Sequence, residues 1–383
     1  MPGPVVVIMA KQPVAGRTKT RLCPPLSAAQ AAGLYAAMLR DTVEWASGLA
    51  GLKLAMAVTP PDAARALAGW VGPGGLLLPV AGADIGECLN ITLSELLAQG
   101  YTKALAVNSD GPTLPPSYLS MAVERLDEVD LVLGPSEDGG YYLIGLKAPA
   151  PGLFQGIIWS TAQVMARTLG QAQQLGLAVS LLPPWYDIDT PADLDRLRAE
   201  LLTLPRARVT HTRRFLTAMA EESRRACLRQ VEEATTDLRH LLSGMADRAW
   251  PEIAAGEWTV KDVLGHLVVW SELLLDGVDA LVSGSAEAIH AVDIDAWNAE
   301  QVAAHRGWPV GRLRAAWESS VQRSVRTLQR MPVERWELRR TVPWASEPVA
   351  PAELLRLWLV HIQQHRASLA AWSQPQRIDK ERT

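Results

Sequence analysis

Two rhythms of hydrophobic and polar positions divide this chain. Up to about residue 200, short apolar runs of strand length alternate with amphipathic stretches of helical length. That alternation builds a mostly parallel sheet with helices on its faces. Residues 5–10 (VVVIMA) are continuously apolar and rich in β-branched side chains, which predicts a strand covered on both sides. Further strands are predicted over 52–58, 76–79, 104–107, 130–134, 143–146 and 177–182. Helices are predicted from Ser27 to about Gly48, over 63–70, 86–99, 116–126 and 162–175, and from Pro191. Ser27 and Thr190 are suited to N-caps, and Pro191 and Asp193 complete the start that Thr190 opens. From residue 214 the pattern is only helical: 218–243, 260–282 opened by Thr259, 293–305 resuming after Gly307-Trp308-Pro309 to about 329, and 351–372. Four helical stretches with two long connections predict a four-helix bundle.

A length of 383 residues favours two domains over one core. Ten of the 14 tryptophans lie between Trp250 and Trp372, so composition changes where the rhythm does. The join at 205–213, PRARVTHTR with its neighbours, is basic and carries no core pattern. The expected organisation is therefore an α/β domain over 1–204, a linker at 205–213 and an all-α domain over 214–383. A net charge of −4 gives no reason to expect nucleic acid or an anionic membrane as partner. Three well-separated cysteines argue against a disulfide framework, and no apolar stretch reaches the length of a membrane span. A cytoplasmic protein is expected.

The chemistry of the first domain is expected at the end of the 104–107 strand, where Asn108-Ser109-Asp110-Gly111-Pro112 follows. Ligands bind at the carboxyl ends of strands in open α/β sheets, and a carboxylate there suits a hard metal ion carrying phosphates. The first strand runs into Lys11-Gln12-Pro13-Val14-Ala15-Gly16-Arg17-Thr18-Lys19-Thr20-Arg21-Leu22, four cations and a glycine in twelve residues. Such a loop can wrap a polyanionic phosphate. Its spacing is neither that of a Walker A loop nor that of a Rossmann fingerprint. Asp138-Gly139-Gly140-Tyr141-Tyr142 suits either close approach of a ligand to backbone or a tight hairpin turn. Asp187 and Asp189, at a strand-to-helix junction, are candidate second ligands beside Asp110. No histidine precedes His211, which excludes a histidine general base from within this domain.

In the second domain His361 and His365 are four residues apart and share one helical face, as metal ligands on a helix must. His266 stands in another apolar helix that can face them. His211, His240, His290 and His305 fall in linker, helix-end or loop contexts and read as surface.

The motifs KQPVAGRTKTRL, VNSDGPTLP, GPSEDGGYYLIGL, WST and DIDTPADL, in this order, resemble the GT-A-fold nucleotide-diphospho-sugar-transferase-like proteins. Among these, the motifs resemble the branch of radical-SAM/selenodomain-associated candidate glycosyltransferases. More distant similarity is to guanylyltransferases of deazaflavin-coenzyme assembly and to molybdenum-cofactor nucleotidyltransferases. The resemblance covers about residues 4–202 and implies a Rossmann-like GT-A domain. It implies that Asp110, Lys19 and Arg21 carry catalysis, with Lys11 and Arg17 also on the nucleotide's phosphates. It further implies Mg2+ or Mn2+ on Asp110 and Asp189, and Asn108, Asp138, Gly139, Gly140 and Tyr141 against the substrates. The donor would be a nucleotide sugar, or a nucleoside triphosphate if the reaction is nucleotidyl transfer, with a small-molecule acceptor. Lys11-Gln12-Pro13 departs from the glycine-rich loop that nucleotidyltransferases of this superfamily often carry. His266 with the His361/His365 pair resembles the DinB/YfiT-like superfamily over about 214–374. That likeness implies Zn2+, Ni2+ or a similar ion, with thiol-dependent transfer or a non-catalytic docking role as alternatives. A second copy of the chain, met through the bundle, is a candidate partner.

Overall fold

The apolar run at the N-terminus forms an interior strand of a seven-stranded sheet. In the computed structural model, which describes residues 2–285, 293–342 and 345–373, the chain divides into two compact units, Met1–Leu216 and Thr217–Thr383.

The first unit runs β1 (Val5–Lys11), α1 (Ala28–Ser47), β2 (Lys53–Thr59), α2 (Ala64–Leu67), β3 (Leu76–Pro79), α3 (Ile85–Ala98), β4 (Ala104–Val107), α4 (Pro116–Arg125), β5 (Leu131–Pro135), β6 (Tyr141–Leu146), α5 (Val164–Gln174), β7 (Val179–Leu181) and α6 (Pro191–Thr203). The sheet order is β3-β2-β1-β4-β6-β5-β7. Six strands share one direction; only β6 is antiparallel, between β4 and β5. Val5 and Val7 pack with Leu89, Leu93 and Leu96 of α3, whereas α1 packs against β1 and β2. Burial on both faces is why β1 and β4 are unbroken apolar runs rather than alternating ones. Because the shared strand direction is preserved, the segments after β1, β4, β5 and β7 all emerge at one edge.

The caps fall where the sequence places them. Ser27 accepts from Gln30 N and Thr190 from Asp193 N, each in a reciprocal capping box, with Pro191 opening α6.

The expected linker is largely structured. Helix α7 (Thr210–Ser243) begins inside it. Both Asp41 carboxylate oxygens, 3 % exposed as a residue, accept from the first-turn amides of His211 (2.8 Å) and Thr212 (2.7 Å). Arg208 donates to the carbonyls of Thr113 and Leu114, and Arg213 to those of Leu201 and Leu204. The ring of Phe215 lies where a Cβ on Gly33 would stand, at 2.6 Å. A basic, pattern-free stretch reads as linker because its partners are backbone carbonyls and one distant aspartate, which no local periodicity reveals.

The second unit continues from α7 through a hairpin, β8 (Ile253–Ala255) and β9 (Trp258–Thr259), to α8 (Val260–Ser283), α9 (Ile294–His305), α10 (Val310–Arg330) and α11 (Pro351–Ser373). Helix α8 is central, packing against α9, α10 and α11. Trp317, Trp336 and Trp358 are fully buried in its core. Trp358 donates to Ser271 Oγ (2.8 Å) and Trp336 to Ser223 Oγ (3.0 Å), so serines in helix bodies serve buried indoles. The short hairpin is an addition to the four-helix expectation; its strands are too brief to leave an alternating signature.

Asp41→Ala removes the acceptor of two first-turn amides in α7. A loss of about 1–2 kcal/mol is expected. It should appear in hydrogen exchange as faster exchange over residues 211–213, with β1 and β4 amides unchanged.

Candidate functional site

Loops from three strand ends converge on one ammonium group. Lys19, in the loop after β1, sits in the left-handed region (φ 53°, ψ 41°) just before a single turn of 3-10 helix. Its Nζ lies 2.5 Å from Asp110 Oδ2 and 2.5 Å from Asp189 Oδ1. The Lys19 side chain is 7 % exposed, against 24 % for Asp110 and 37 % for Asp189. Burial works against the ammonium charge, but the two carboxylates outweigh it and hold the Lys19 pKa above its ordinary value. Burial likewise opposes the charge on Asp189, yet Lys19, Arg21 and Lys11 keep its carboxyl below the usual range. Arg21 stands farther out, 3.9 Å from Asp189 and 70 % exposed.

Asp187 takes a different place from Asp189. Its carboxylate accepts from Asn108 Nδ2 and from Ser136 Oγ (3.2 Å). Burial, and then the charge of Asp110, push the Asp187 carboxyl up to about 8. Of the two junction carboxylates, Asp189 is therefore the one that joins Asp110 on a common cation, while Asp187 braces Asn108 behind it.

These groups stand at a cleft of about 590 Å³. Lys11, Arg17, Lys19 and Arg21 line it with Asn108, Asp110 and Asp189. Asp138, Gly140 and Tyr141 line it too, and Met9, Ile85 and Leu89 make part of its wall apolar. Gly139 has another task. At φ +91° its position for a Cβ is 2.2 Å from the Ala162 carbonyl oxygen, and its own carbonyl accepts from Met165 N (2.9 Å). The close approach is of backbone to backbone, which seats the 160–162 segment on the cleft. Trp159 gains its place in a similar way. A Cβ on Gly86 would fall 2.2–2.4 Å from the indole, so only glycine lets that ring lie on the start of α3. Tyr141 meets Trp159 edge-on at 6.4 Å.

Sequence reasoning passed over Tyr35 and Ser109. Tyr35 Oη, from α1, accepts from Lys11 N (2.9 Å) and shares a 2.8 Å hydrogen bond with Ser109 Oγ. It thereby ties the start of the basic loop to the residue beside Asp110. A tyrosine within an apolar helix carries no local signal of that contact.

In the second unit the three expected histidines meet. His266 on α8 and His361 and His365 on α11 converge through their Nε2 atoms, at 2.9 Å (266 to 361) and 3.0 Å (365 to 361). Burial, followed by the neighbouring histidines, depresses the His266 pKa to about 3; burial and His365 depress that of His361 to about 4. Burial lowers His365 as well. Three neutral imidazoles with converging nitrogens form the donor set that a borderline transition metal requires. Trp258 and Trp270 flank them, with ring centroids 4.7 Å from His266 and 5.2 Å from His361 respectively. The other histidines differ. His240 is exposed, the His305 ring lies tilted against Trp308 with centroids 4.5 Å apart, and His290 lies outside the described residues. His211 is half-buried, with Nε2 3.4 Å from Glu44. Asp41, Glu44 and His211 form a second grouping with metal-ligand spacing, but Asp41 spends both oxygens capping α7.

The histidine cluster makes stability depend on pH. An unfolded histidine takes a proton below about 6.5, whereas the folded cluster resists to about 4 at His361 and about 3 at His266. Between those values the unfolded state binds more protons, so stability rises with pH. In chelated protein, the near-UV circular dichroism of the tryptophan-rich unit should hold above about pH 6.5 and be lost progressively toward pH 3. A flat profile over that window would contradict the buried neutral cluster.

Comparison with known proteins follows the same division. Residues 42–161 match a family model described as "Uncharacterized protein conserved in bacteria (DUF2064)". Residues 230–369 match the DinB superfamily. Among solved structures, a candidate nucleotide-diphospho-sugar transferase from Desulfovibrio desulfuricans G20 shares 29 % identity, with a TM-score of 0.52 over 55 % of this chain and 92 % of its own. A mycothiol-dependent maleylpyruvate isomerase shares 18 % over 38 % of this chain and 60 % of its own, with a TM-score of 0.35. A 4-diphosphocytidyl-2C-methyl-D-erythritol synthase shares 12 % over 52 % and 99 %, with a TM-score of 0.36. Neither of these last two likenesses specifies a reaction. Among the described residues, no helix is long and apolar enough to cross a membrane. The chain thus carries a DUF2064 region, similar in fold to a candidate nucleotide-diphospho-sugar transferase, followed by a DinB-superfamily helical region.

Proposed function

We propose that the first unit is a divalent-cation-dependent transferase using a nucleotide sugar and a small-molecule acceptor, and that the second unit holds a transition metal. The carrying observation is the convergence of Asp110 and Asp189 on a single cation at the edge of a cleft rimmed by Lys11, Arg17 and Arg21. Two hard carboxylate oxygens aimed at one point fit Mg2+ or Mn2+. When bound, such an ion would neutralise charge that develops on the leaving phosphate. The remaining work falls to the chain's own groups. Lys11, Arg17 and Arg21 would grip the phosphates by charge-assisted hydrogen bonds already arranged in the loop. Asp138, Gly140 and Tyr141 would face the acceptor, with Trp159 as a flat apolar wall beside them. Asn108, braced by Asp187, would keep the strand end rigid. The name of the Desulfovibrio neighbour supports the donor class.

In the second unit, His266, His361 and His365 would hold Zn2+, Ni2+ or a similar ion; their neutrality at pH 7 leaves the nitrogen lone pairs free for it. An open coordination position there would suit activation of a thiol or water.

Calorimetry of nucleotide binding with Mn2+ tests the first assignment. Asp110→Ala should abolish the Mn2+-dependent part, and unchanged binding would remove Asp110 from the centre. A donor screen by thermal shift, followed by turnover assays, tests the donor class, because a ligand of the native state raises its melting temperature. Nucleotide-sugar turnover is the expected result. Pyrophosphate release from nucleoside triphosphates alone would move the assignment to nucleotidyl transfer. For the bundle, the double variant His266→Ala/His361→Ala should lose the transition-metal content of the purified protein. Retention of the wild-type metal content would make these histidines core residues only.

A further inference from the structure

We propose that Lys19 is an exchangeable counter-ion. It holds the Asp110–Asp189 pair until nucleotide arrives, and the incoming divalent cation displaces it onto the nucleotide's phosphates. The inference rests on reading Asp110 and Asp189 as the cation site.

Lysine and divalent cation exclude each other from this place. The Lys19 ammonium lies 2.5 Å from an oxygen of each carboxylate, with its side chain 7 % exposed. A divalent ion ligated by the same two oxygens would stand roughly 2.0–2.2 Å from each. Two cations cannot occupy that space, and like charges so close repel strongly where water is scarce. One of them must leave. The stem of Lys19 is flexible, whereas its backbone is tied into the loop. Leu22 N donates to the Lys19 carbonyl at 3.0 Å, and Thr18 Oγ1 donates to the Gln12 carbonyl at 3.1 Å. The ammonium therefore leaves by swinging rather than by opening the loop. Lys19, Arg17 and Arg21 all line the same cleft, so the swing ends where the phosphates are expected.

Three consequences follow from this exchange. A divalent cation alone must pay to evict a well-paired lysine, so it binds weakly without nucleotide. Nucleotide gives the ammonium a new anion, so metal and nucleotide each tighten the other's binding by the same factor. Removal of the lysine then acts with opposite signs on the two ligands. Metal alone binds more tightly, and phosphate binds more weakly. A lysine that served only as a phosphate contact would leave the affinity for metal alone unchanged.

The test is Mn2+ titration of the full-length protein without nucleotide, followed by the loss of the free-ion electron paramagnetic resonance signal. Wild type, Lys19→Met and Lys19→Gln are compared, each against a form that also carries Asp110→Asn, so that Mn2+ held by the histidines is subtracted. Far-ultraviolet circular dichroism confirms that each variant is folded, and the glutamine variant retains a donor if the methionine variant fails. Tighter Asp110-dependent Mn2+ binding in the lysine variants, on the order of tenfold, is expected. Equal or weaker binding than wild type overturns the exchange while leaving the cation site in place. Complete absence of Asp110-dependent Mn2+ binding in all three proteins also overturns it. The calorimetry with nucleotide then decides separately whether Asp110 belongs to a cation site at all.

Discussion

One buried ammonium organises the first two hundred residues. Lys19 reaches Asp110, at the end of β4, and Asp189, beyond β7, from a loop that follows β1. These are distant parts of the chain, joined only because a parallel sheet delivers all three strand ends to one edge. Burying such a charge is costly unless it is fully paired, and removing one partner of a buried pair is more damaging than replacing the whole arrangement. The local structure is consistent with that demand. Tyr35 fastens the basic loop to Ser109, Asp187 fastens Asn108, and the Ile188 amide donates to the Asp110 carbonyl at 3.1 Å. Each contact lowers the freedom of a residue adjoining the pair, so the carboxylates are held converged before any ligand arrives.

The second unit reaches a comparable state with the opposite electrostatics. Its polar centre is neutral. His266, His361 and His365 lie among tryptophans, and their depressed pKa values keep protons off them at pH 7. Hard oxygen donors sit in one unit and softer nitrogen donors in the other, so on the proposed reading the two sites would favour different metal ions.

Much of this was legible in the residues themselves. The strands 104–107 and 76–79 coincide with β4 and β3, because four-residue apolar runs between turn signals leave little freedom of placement. The position of Asp110 at the cleft edge was legible from its place directly after a buried strand. His361 and His365 were legible from helical spacing, and His266 needed only an apolar helix to carry it. What stayed hidden is long-range. The place of Lys19 between two carboxylates depends on a left-handed backbone turn and on two loops roughly a hundred and more positions away. Gly139 read as either a ligand-facing or a hairpin-turn glycine; it lies in the turn between β5 and β6, and the close approach there is to the Ala162 backbone. The start of α7 read as linker, since its docking relies on Asp41 and on carbonyls that any sequence could supply.

The most direct measurement is a crystal structure of the protein with Mn2+ and a nucleoside diphosphate, with anomalous scattering used to locate manganese. An anomalous peak between Asp110 and Asp189 is expected, with Lys19 turned from both carboxylates onto a phosphate oxygen. Nucleotide bound in the cleft while Lys19 still bridges Asp110 and Asp189, with manganese elsewhere, would contradict the proposed exchange.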